Sequence, residues 1–463
     1  MEEFCQNSIC LWADYLSNLV WSWPLLALIF GCGLYLTVIL KGLQFRYLGY
    51  AFQQVLAEKK EGAQGDISPF EALMTTLAGA IGTGSIVGVA TALTMGGVGA
   101  IFWMWIAAIF GMATKYAESL LAVKYRTKDA KGEMVGGPME YIERGLGWKW
   151  MAILFAVLAS VAAMGAGNLV QANSIGDSFY EVLGINPWFT GIGLAIVTGI
   201  VILGGIKSVG HVAGVLVPVM ALFYLGAGIL ILIFNHDKVL DALWLIVQSG
   251  FTPQAAIGGF SGASVYMAFQ IGSAHSVFTS EAGIGISSVA AAAANTDSPS
   301  RQALITMTGS LLSTVLICTV SALAILVTDS FGAVDVNGKL VLGASMAIRA
   351  FNSAFSAGGY VVTIGLVLFS FSTIIAWAYY GEKCFEYLFG EKAVIYYRIV
   401  FCLVVIPGTA VNLEAAWKFS HMLNGLMAIP NLIALIALAP IIKEETATFL
   451  KLAEAEKRDS KRG

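Results

Sequence analysis

The sequence predicts an all-α polytopic membrane protein. Three observations carry that expectation: an apolar composition, apolar runs of membrane-crossing length along the whole chain, and a lopsided placement of positive charge. In 463 residues, 58% are apolar and 12% charged, with a mean hydropathy of +0.79. That leaves too little polar surface for a particle dissolved in water. About 20 apolar residues cross the hydrocarbon of a bilayer. Runs of that kind fall near residues 19–41, 69–94, 99–124, 150–175, 187–206, 212–234, 258–290, 302–328, 357–380, 394–411 and 415–442. Eleven spans put the two termini on opposite sides. With the N-terminus outside and the C-terminus cytoplasmic, 21 of the 26 Lys and Arg residues fall in the inner segments. Cytoplasmic loops carry such an excess, and an even span count would lose it.

The first span, 19–41, follows no basic n-region, since the first positive charge is Lys41. It therefore reads as a retained extra helix rather than a cleavable leader. Cys5 and Cys10 precede it on the outer side, where they either pair or stay as thiols. The remaining ten spans divide into units of five, 69–234 and 258–442, and the first span of each is interrupted. In 69–94 the run from Gly79 to Gly88 contains four glycines; in 258–290 the interruption lies between Gly272 and Gly285. Glycine inside a helix costs about 1 kcal/mol relative to alanine, and hydrocarbon holds no water to satisfy a loosened backbone. Matching interruptions in two halves mark an inverted-repeat carrier and its binding site. Close packing through Gly84 and Gly88 is the competing reading. The tail, 443–463, alternates charge and reads as a fraying cytoplasmic helix. The whole is one transmembrane domain.

Several classes are excluded. The four histidines are scattered, no zinc or nucleophile-elbow motif occurs, and the cysteines lack metal-ligand spacing. The protein is therefore not expected to be an enzyme; no nucleic-acid partner is expected, and the net charge of −3 by itself says nothing about one. Polar residues inside spans each need a partner or a purpose. Lys115 and Glu118, three apart on one helix, read as a self-neutralising pair. Gln171 and Asn173 offer carboxamides to a solute or a neighbouring helix. Phe369-Ser-Phe-Ser-Thr373 places adjacent hydroxyls in the eighth span of the ten, a neutral oxygen set that suits a monovalent cation when joined by carbonyls of a broken helix. Glu281 is a candidate for gating or proton relay, with pairing to Arg301 or to a backbone amide as the structural alternative. His275 is a second candidate proton carrier.

Longer motifs then accumulate in order: Thr76 to Ala90, Gly99 to Trp105, Gly111 to Glu118, Leu121 to Arg126, Gly136 to Ile142, Ser280 to Gly283, Thr296-Asp297 with Arg301-Gln302, and Phe371 to Cys384. This series resembles the alanine or glycine:cation symporter family, also called the sodium:alanine symporters. The resemblance implies a LeuT-like fold of five-plus-five inverted repeats with one added N-terminal helix, moving alanine or glycine inward with sodium by alternating access. It implies a sodium site from the carbonyls of Ala78, Ile81 and Phe369 and the hydroxyls of Ser372 and Thr373. It also implies an amino-acid site against Ala80, Gly82, Thr83, Gly84 and Ser85, closed by Gln171, a break over Phe269, Gln270, Ile271 and Gly272, and Trp377. The implied partners are a small amino acid, sodium as coupling ion with no other cofactor, and the lipid of a bacterial inner membrane. The chain departs from the family's usual pattern at Ser85, at His275-Ser276 and at Thr279-Ser280, all near the interruptions. Those departures leave open two alternatives, a proton-coupled carrier of the same solutes and a membrane sensor that binds without transporting.

Overall fold

A computed structural model describes residues 8–55, 62–253, 264–335, 338–410 and 414–459. Cys5, and the side chain of Cys10, lie outside the described residues. The chain opens with α1 (Ser8–Val20), α2 (Trp23–Ile39) and the short α3 (Leu43–Arg46) and α4 (Leu48–Val55). The first unit follows as α5 (Pro69–Ala80), α6 (Val87–Gly96), α7 (Gly99–Lys124), the two-stranded antiparallel hairpin β1 (Thr127–Lys128) and β2 (Met134–Val135), α8 (Pro138–Leu146), α9 (Lys149–Met164), α10 (Val170–Leu183), α11 (Pro187–Leu203) and α12 (Gly205–Phe234). After α13 (His236–Ser249), the second unit comprises α14 (Val265–Ser280), α15 (Ser288–Ala292), α16 (Pro299–Ser310), α17 (Cys318–Val327), α18 (Gly343–Ala354), α19 (Gly358–Phe389), α20 (Val394–Gly408), α21 (Glu414–Ala437) and α22 (Ala439–Asp459). π-helical turns, Gly165–Leu169 and Leu311–Ile317, join α9 to α10 and α16 to α17.

Among the described residues, six helices are long and apolar enough to cross a membrane: Gly99–Lys124, Lys149–Leu183, Gly205–Phe234, Pro299–Val327, Gly358–Phe389 and Trp417–Ala437. Trp23–Ile39, Val87–Gly96 and Pro187–Leu203 are shorter apolar helices. Their outward faces are greasy, as Val215, Val219, Leu222 and Leu230 show on α12, which suits contact with lipid. The helices pack as two bodies. α7 lies against α14 and α16, while α19 lies against α9 and α10, and α11 against α20. α5 meets α19 of one body and α16 of the other, so the first interrupted span sits on the seam.

Local chemistry explains where the first interruption begins. Pro69 starts α5 behind a capping box in which Ser68 Oγ accepts from the Glu71 amide at 3.2 Å and Glu71 accepts from the Ser68 amide at 2.8 Å. The helix closes on Ile81, whose amide reaches the Leu77 carbonyl at 2.7 Å, and Gly82 is then extended.

The second interruption begins within the Gly272 to Gly285 stretch, at Glu281, and not over Phe269 to Gly272 as the resemblance implied. α14 runs unbroken through Phe269, Gln270, Ile271 and Gly272, and the backbone leaves the helix at Glu281, with left-handed φ values at Glu281, Gly283 and Gly285. Gly272 is small for packing: a Cβ there would lie 2.3 Å from the Ala100 carbonyl oxygen. The Gln270 amide donates to the Trp21 carbonyl at 3.0 Å, and Trp21 Nε1 donates to the His421 carbonyl at 2.9 Å. The extra N-terminal segment thus straps α14 to α21.

The tail is a docked helix rather than a fraying one. Phe449 and Ala453 are buried, Lys124 pairs with Glu445, and Glu456 accepts from Arg301 at 2.8 Å and from Tyr50 at 3.0 Å. Arg301 also holds Asp297 at 2.7 Å. Burial and the neighbouring charges push the Tyr50 hydroxyl up to about 12. Arg301→Ala leaves these acceptors without their donor, and is expected to cost about 1–3 kcal/mol. A lower melting temperature in detergent and faster proteolysis of α22 would register it; Asp297→Asn should have the smaller effect.

Candidate functional site

Between the end of α5 and the middle of α19, five oxygens converge. Thr373 Oγ1 donates to the Ala78 carbonyl at 2.9 Å and lies 3.5 Å from the Ile81 carbonyl oxygen and 3.0 Å from that of Phe369. Ser372 Oγ lies 2.8 Å from the Phe369 carbonyl oxygen and 3.4 Å from that of Ala78. The carbonyls of Ala78 and Ile81 face outward because the helix ends there, leaving no amide one turn on to take them. Ser372 and Thr373 are adjacent on a continuous helix, so both hydroxyls reach the same opening. The set is all oxygen and carries no charge, which fits a monovalent hard cation treated as cargo.

Beside it, Gly79, Ala80, Gly82, Ala166, Gln171, Phe278, Thr373 and Trp377 line a cavity of about 10 Å³. That is room for about one water molecule. Gln171 Oε1 accepts from the Thr83 amide at 3.2 Å, and its Nε2 donates to the Ala166 carbonyl at 3.1 Å. Trp377 Nε1 donates to the Gly79 carbonyl at 3.3 Å. The π turn at Gly165–Leu169 brings Ala166 to the cavity, and Gly167 lets the backbone close on Trp377, where a Cβ would meet the indole's Cβ at 2.2 Å. Ser321 Oγ donates to the Ser85 carbonyl at 2.8 Å. The hydroxyls of Thr83 and Ser85 are buried without a hydrogen-bond partner.

The structure thus gathers Ala78, Ile81, Phe369, Ser372 and Thr373 at one point, and Ala80, Gly82, Gln171 and Trp377 around the neighbouring cavity, with Thr83, Gly84 and Ser85 in the same broken turn. Phe269, Gln270 and Ile271 are elsewhere. Phe269 packs on Phe30 and Trp103, with ring centroids 5.0 and 4.9 Å apart. Phe278 takes the place on the cavity that the sequence reading gave to that segment. Its ring stacks on His421 at 5.7 Å and 6°, and a Cβ at Gly84 would meet it at 2.6 Å. The sequence signal for it was its position two residues before the Ser280-Glu281 turn, once the break was placed there. His275 lies against His421, its ring 6.0 Å away, with its Nδ1 3.0 Å from the Ile271 carbonyl oxygen.

Charged side chains secure the second break. Lys115 Nζ donates to the Ser280 carbonyl at 2.6 Å, while Glu118 Oε1 accepts from the Gly283 amide at 2.9 Å and from Asn431 Nδ2 at 2.7 Å. Lys115 and Glu118 cap loosened backbone instead of neutralising each other. Arg301 is engaged at the α22 interface, so Glu281 does not pair with it. Among the described residues no cluster of His, Cys, Asp and Glu suits a transition metal.

Gly82→Ala would bring a Cβ to 2.6 Å from Thr373 Oγ1 and 3.0 Å from Gln171 Oε1. Overpacking of this kind costs about 1–3 kcal/mol, so binding of the sodium and alanine that the resemblance implies is expected to weaken about tenfold or more. Isothermal titration of the purified protein would measure it. Gly31→Ala, into open space, should leave binding unchanged.

The sodium:alanine symporter family model matches residues 6–462. The sodium/alanine symporter AgcS of Methanococcus maripaludis is 45% identical over 452 residues, 96% of this chain and 98% of its own. The probable sodium/glutamine symporter GlnT of Bacillus subtilis is 35% identical over 446 residues, 95% of this chain and 91% of its own. Among solved structures, MhsT in complex with L-phenylalanine superposes with a TM-score of 0.56 at 14% identity, over 84% of this chain and 99% of its own. A manganese transporter of Eremococcus coleocola does so with 0.53 at 11%, over 84% and 83%. Those two likenesses concern the fold, that of helical membrane transporters with LeuT-like architecture. On family match and identity together, this chain is a multi-pass membrane transporter, not an enzyme, and belongs to the sodium:alanine symporter family.

Proposed function

We propose that this protein imports a small neutral amino acid, alanine or glycine, together with sodium by alternating access across a bacterial inner membrane. The observation that carries the reading is the convergence of Ala78, Ile81, Phe369, Ser372 and Thr373 oxygens at the broken end of α5. Sodium there neutralises the carbonyl dipoles that the missing helical turn leaves bare. That occupancy holds α5 against α19 and shapes the Ala80 to Ser85 turn for the amino acid beside it. The two ligands are thereby coupled, since whatever binds one arrangement better stabilises it for the other. A charge moving inward through 100 mV contributes about 2.3 kcal/mol.

In this reading the eleven crossings are α2, α5 with α6, α7, α9 with α10, α11, α12, α14 with α15, α16 with α17, α19, α20 and α21. The N-terminus is outside, by the excess of positive charge on the other face. Size selection rests on Trp377 and Phe278, two rings that leave the closed cavity little room. The relatives include both an alanine and a probable glutamine symporter by name, so the family tolerates more than one side chain, and these rings are where this chain restricts it.

Thr373→Ala removes one of five oxygens. In proteoliposomes, the sodium concentration for half-maximal alanine uptake is expected to rise about tenfold, equivalent to ~1.4 kcal/mol. Unchanged sodium dependence would place the ion elsewhere. Uptake driven by a pH gradient with sodium absent on both sides would select the proton-coupled alternative.

A further inference from the structure

Buried charges elsewhere in the described structure have opposite charges in contact. Glu382 holds Arg398 at 2.6 Å, Lys383 lies 3.0 Å from Glu386 and 3.2 Å from Asp129, and Arg301 sits between Asp297 and Glu456. Lys115, Glu118 and Glu281, each no more than 1% exposed, are arranged differently. Lys115 donates a hydrogen bond to the Ser280 carbonyl, and Glu118 collects two N–H donors. Both carboxylate oxygens of Glu281 are buried without any hydrogen-bond partner. Oε1 rests against the chain at Gly79, where a Cβ would come within 2.9 Å of it and of Tyr380 Cε2.

Two acids and one base, all ionised, leave one negative charge uncompensated in hydrocarbon, where an unpaired carboxylate is very costly. The groups facing Glu281 supply no second positive charge. From α7 come Lys115 and Glu118. From α19 come Trp377, whose indole N–H is given to the Gly79 carbonyl, and Tyr380, whose hydroxyl donates to the Thr75 carbonyl at 2.9 Å. From α5 comes Gly79, with no side chain. Asn431 of α21 is neutral and bonded to Glu118 and the Gly283 carbonyl. The hydrogen bonds also distinguish the two acids. N–H donors favour the ionised form: Glu118 accepts from two, whereas Glu281 faces only the Trp377 indole N–H, which is given to the Gly79 carbonyl at 3.3 Å.

We propose that Glu281 is a proton-binding site: in the closed conformation its carboxyl carries the single proton that brings the Lys115, Glu118 and Glu281 trio to neutrality. When the 281–287 turn meets water, the proton passes to it and the carboxylate is solvated. The inference rests on the symporter reading only for its consequence in transport. Below the midpoint for proton loss the closed state forms freely. Above it, closure must bury a net negative charge, so uptake falls as pH rises.

The direct test does not involve transport. Infrared difference spectra of the purified, detergent-solubilised protein should show a carboxylic-acid carbonyl band at neutral pH that disappears on alkaline titration. The band should be missing in Glu281→Gln and retained in Glu118→Gln. Absence of the band in the unmodified protein, or its survival in Glu281→Gln, overturns the proposal whatever the carrier transports. In proteoliposomes with a fixed sodium gradient, uptake by the unmodified protein should drop about tenfold or more across the alkaline limb, since each tenfold step is ~1.4 kcal/mol. Glu281→Gln, a fixed mimic of the protonated acid, should give a flat profile. A fall in radioactive sodium taken up per alanine in that variant would show that the neutralising cation is sodium, and would equally overturn it.

Discussion

Unpaired backbone inside hydrocarbon is the constraint on which the rest of this structure depends. Two helices stop at membrane depth, at 81–86 and 281–287, and each exposes carbonyls and amides that no water can take up. The side chains that meet them come from other helices: Gln171, Ser321, Ser372, Thr373 and Trp377 at the first break, Lys115, Glu118 and Asn431 at the second. These buried polar side chains thus hold two gaps open without losing the fold. The chemical difference between the gaps follows. The first is held by neutral groups and presents carbonyl oxygens, while the second is held by charged groups and presents a carboxyl.

Ahead of α5 and behind α15 the two interrupted spans are joined. Arg126 donates to the carbonyls of Ala292 and Ala294 at 2.9 and 2.8 Å and to that of Gln64 at 2.8 Å. Around it the amides of Asp66, Asn295 and Thr296 reach the carbonyls of Ala293, Ile67 and Gln64 at 2.8, 2.7 and 3.1 Å. The β-hairpin that follows Arg126 is fixed on one side by Lys383 of α19, which holds Asp129 and Glu133, and on the other by Asp66, which accepts from the Met134 amide at 2.6 Å. The seam between the two packed bodies therefore runs beneath this hairpin.

How much of this could be read from the sequence depended on whether local chemistry or tertiary contact fixed each feature. The first break was legible because four glycines within ten residues weaken a helix too much, at a depth without water, to leave it continuous. Ser372-Thr373 was legible because adjacent hydroxyls in an apolar helix are rare enough to draw the eye. The second break fell inside the Gly272 to Gly285 stretch but not at Phe269 to Gly272, because Gly272 looks the same in sequence whether it opens a helix or packs one, and only the Ala100 carbonyl lying against it decides. Phe278 was missed since a phenylalanine in a greasy span carries no mark of facing a cavity. The amphipathic helices α8, α13 and α18 are shorter than the window that finds spans, and the docking of α22 rests on Arg301, some 150 residues away in sequence.

The knot around Arg126 ties the segment ahead of α5 to the segment behind α15. Because residues 64–67 are laced to 293–296, neither strand of the chain can shift at that end without carrying the other.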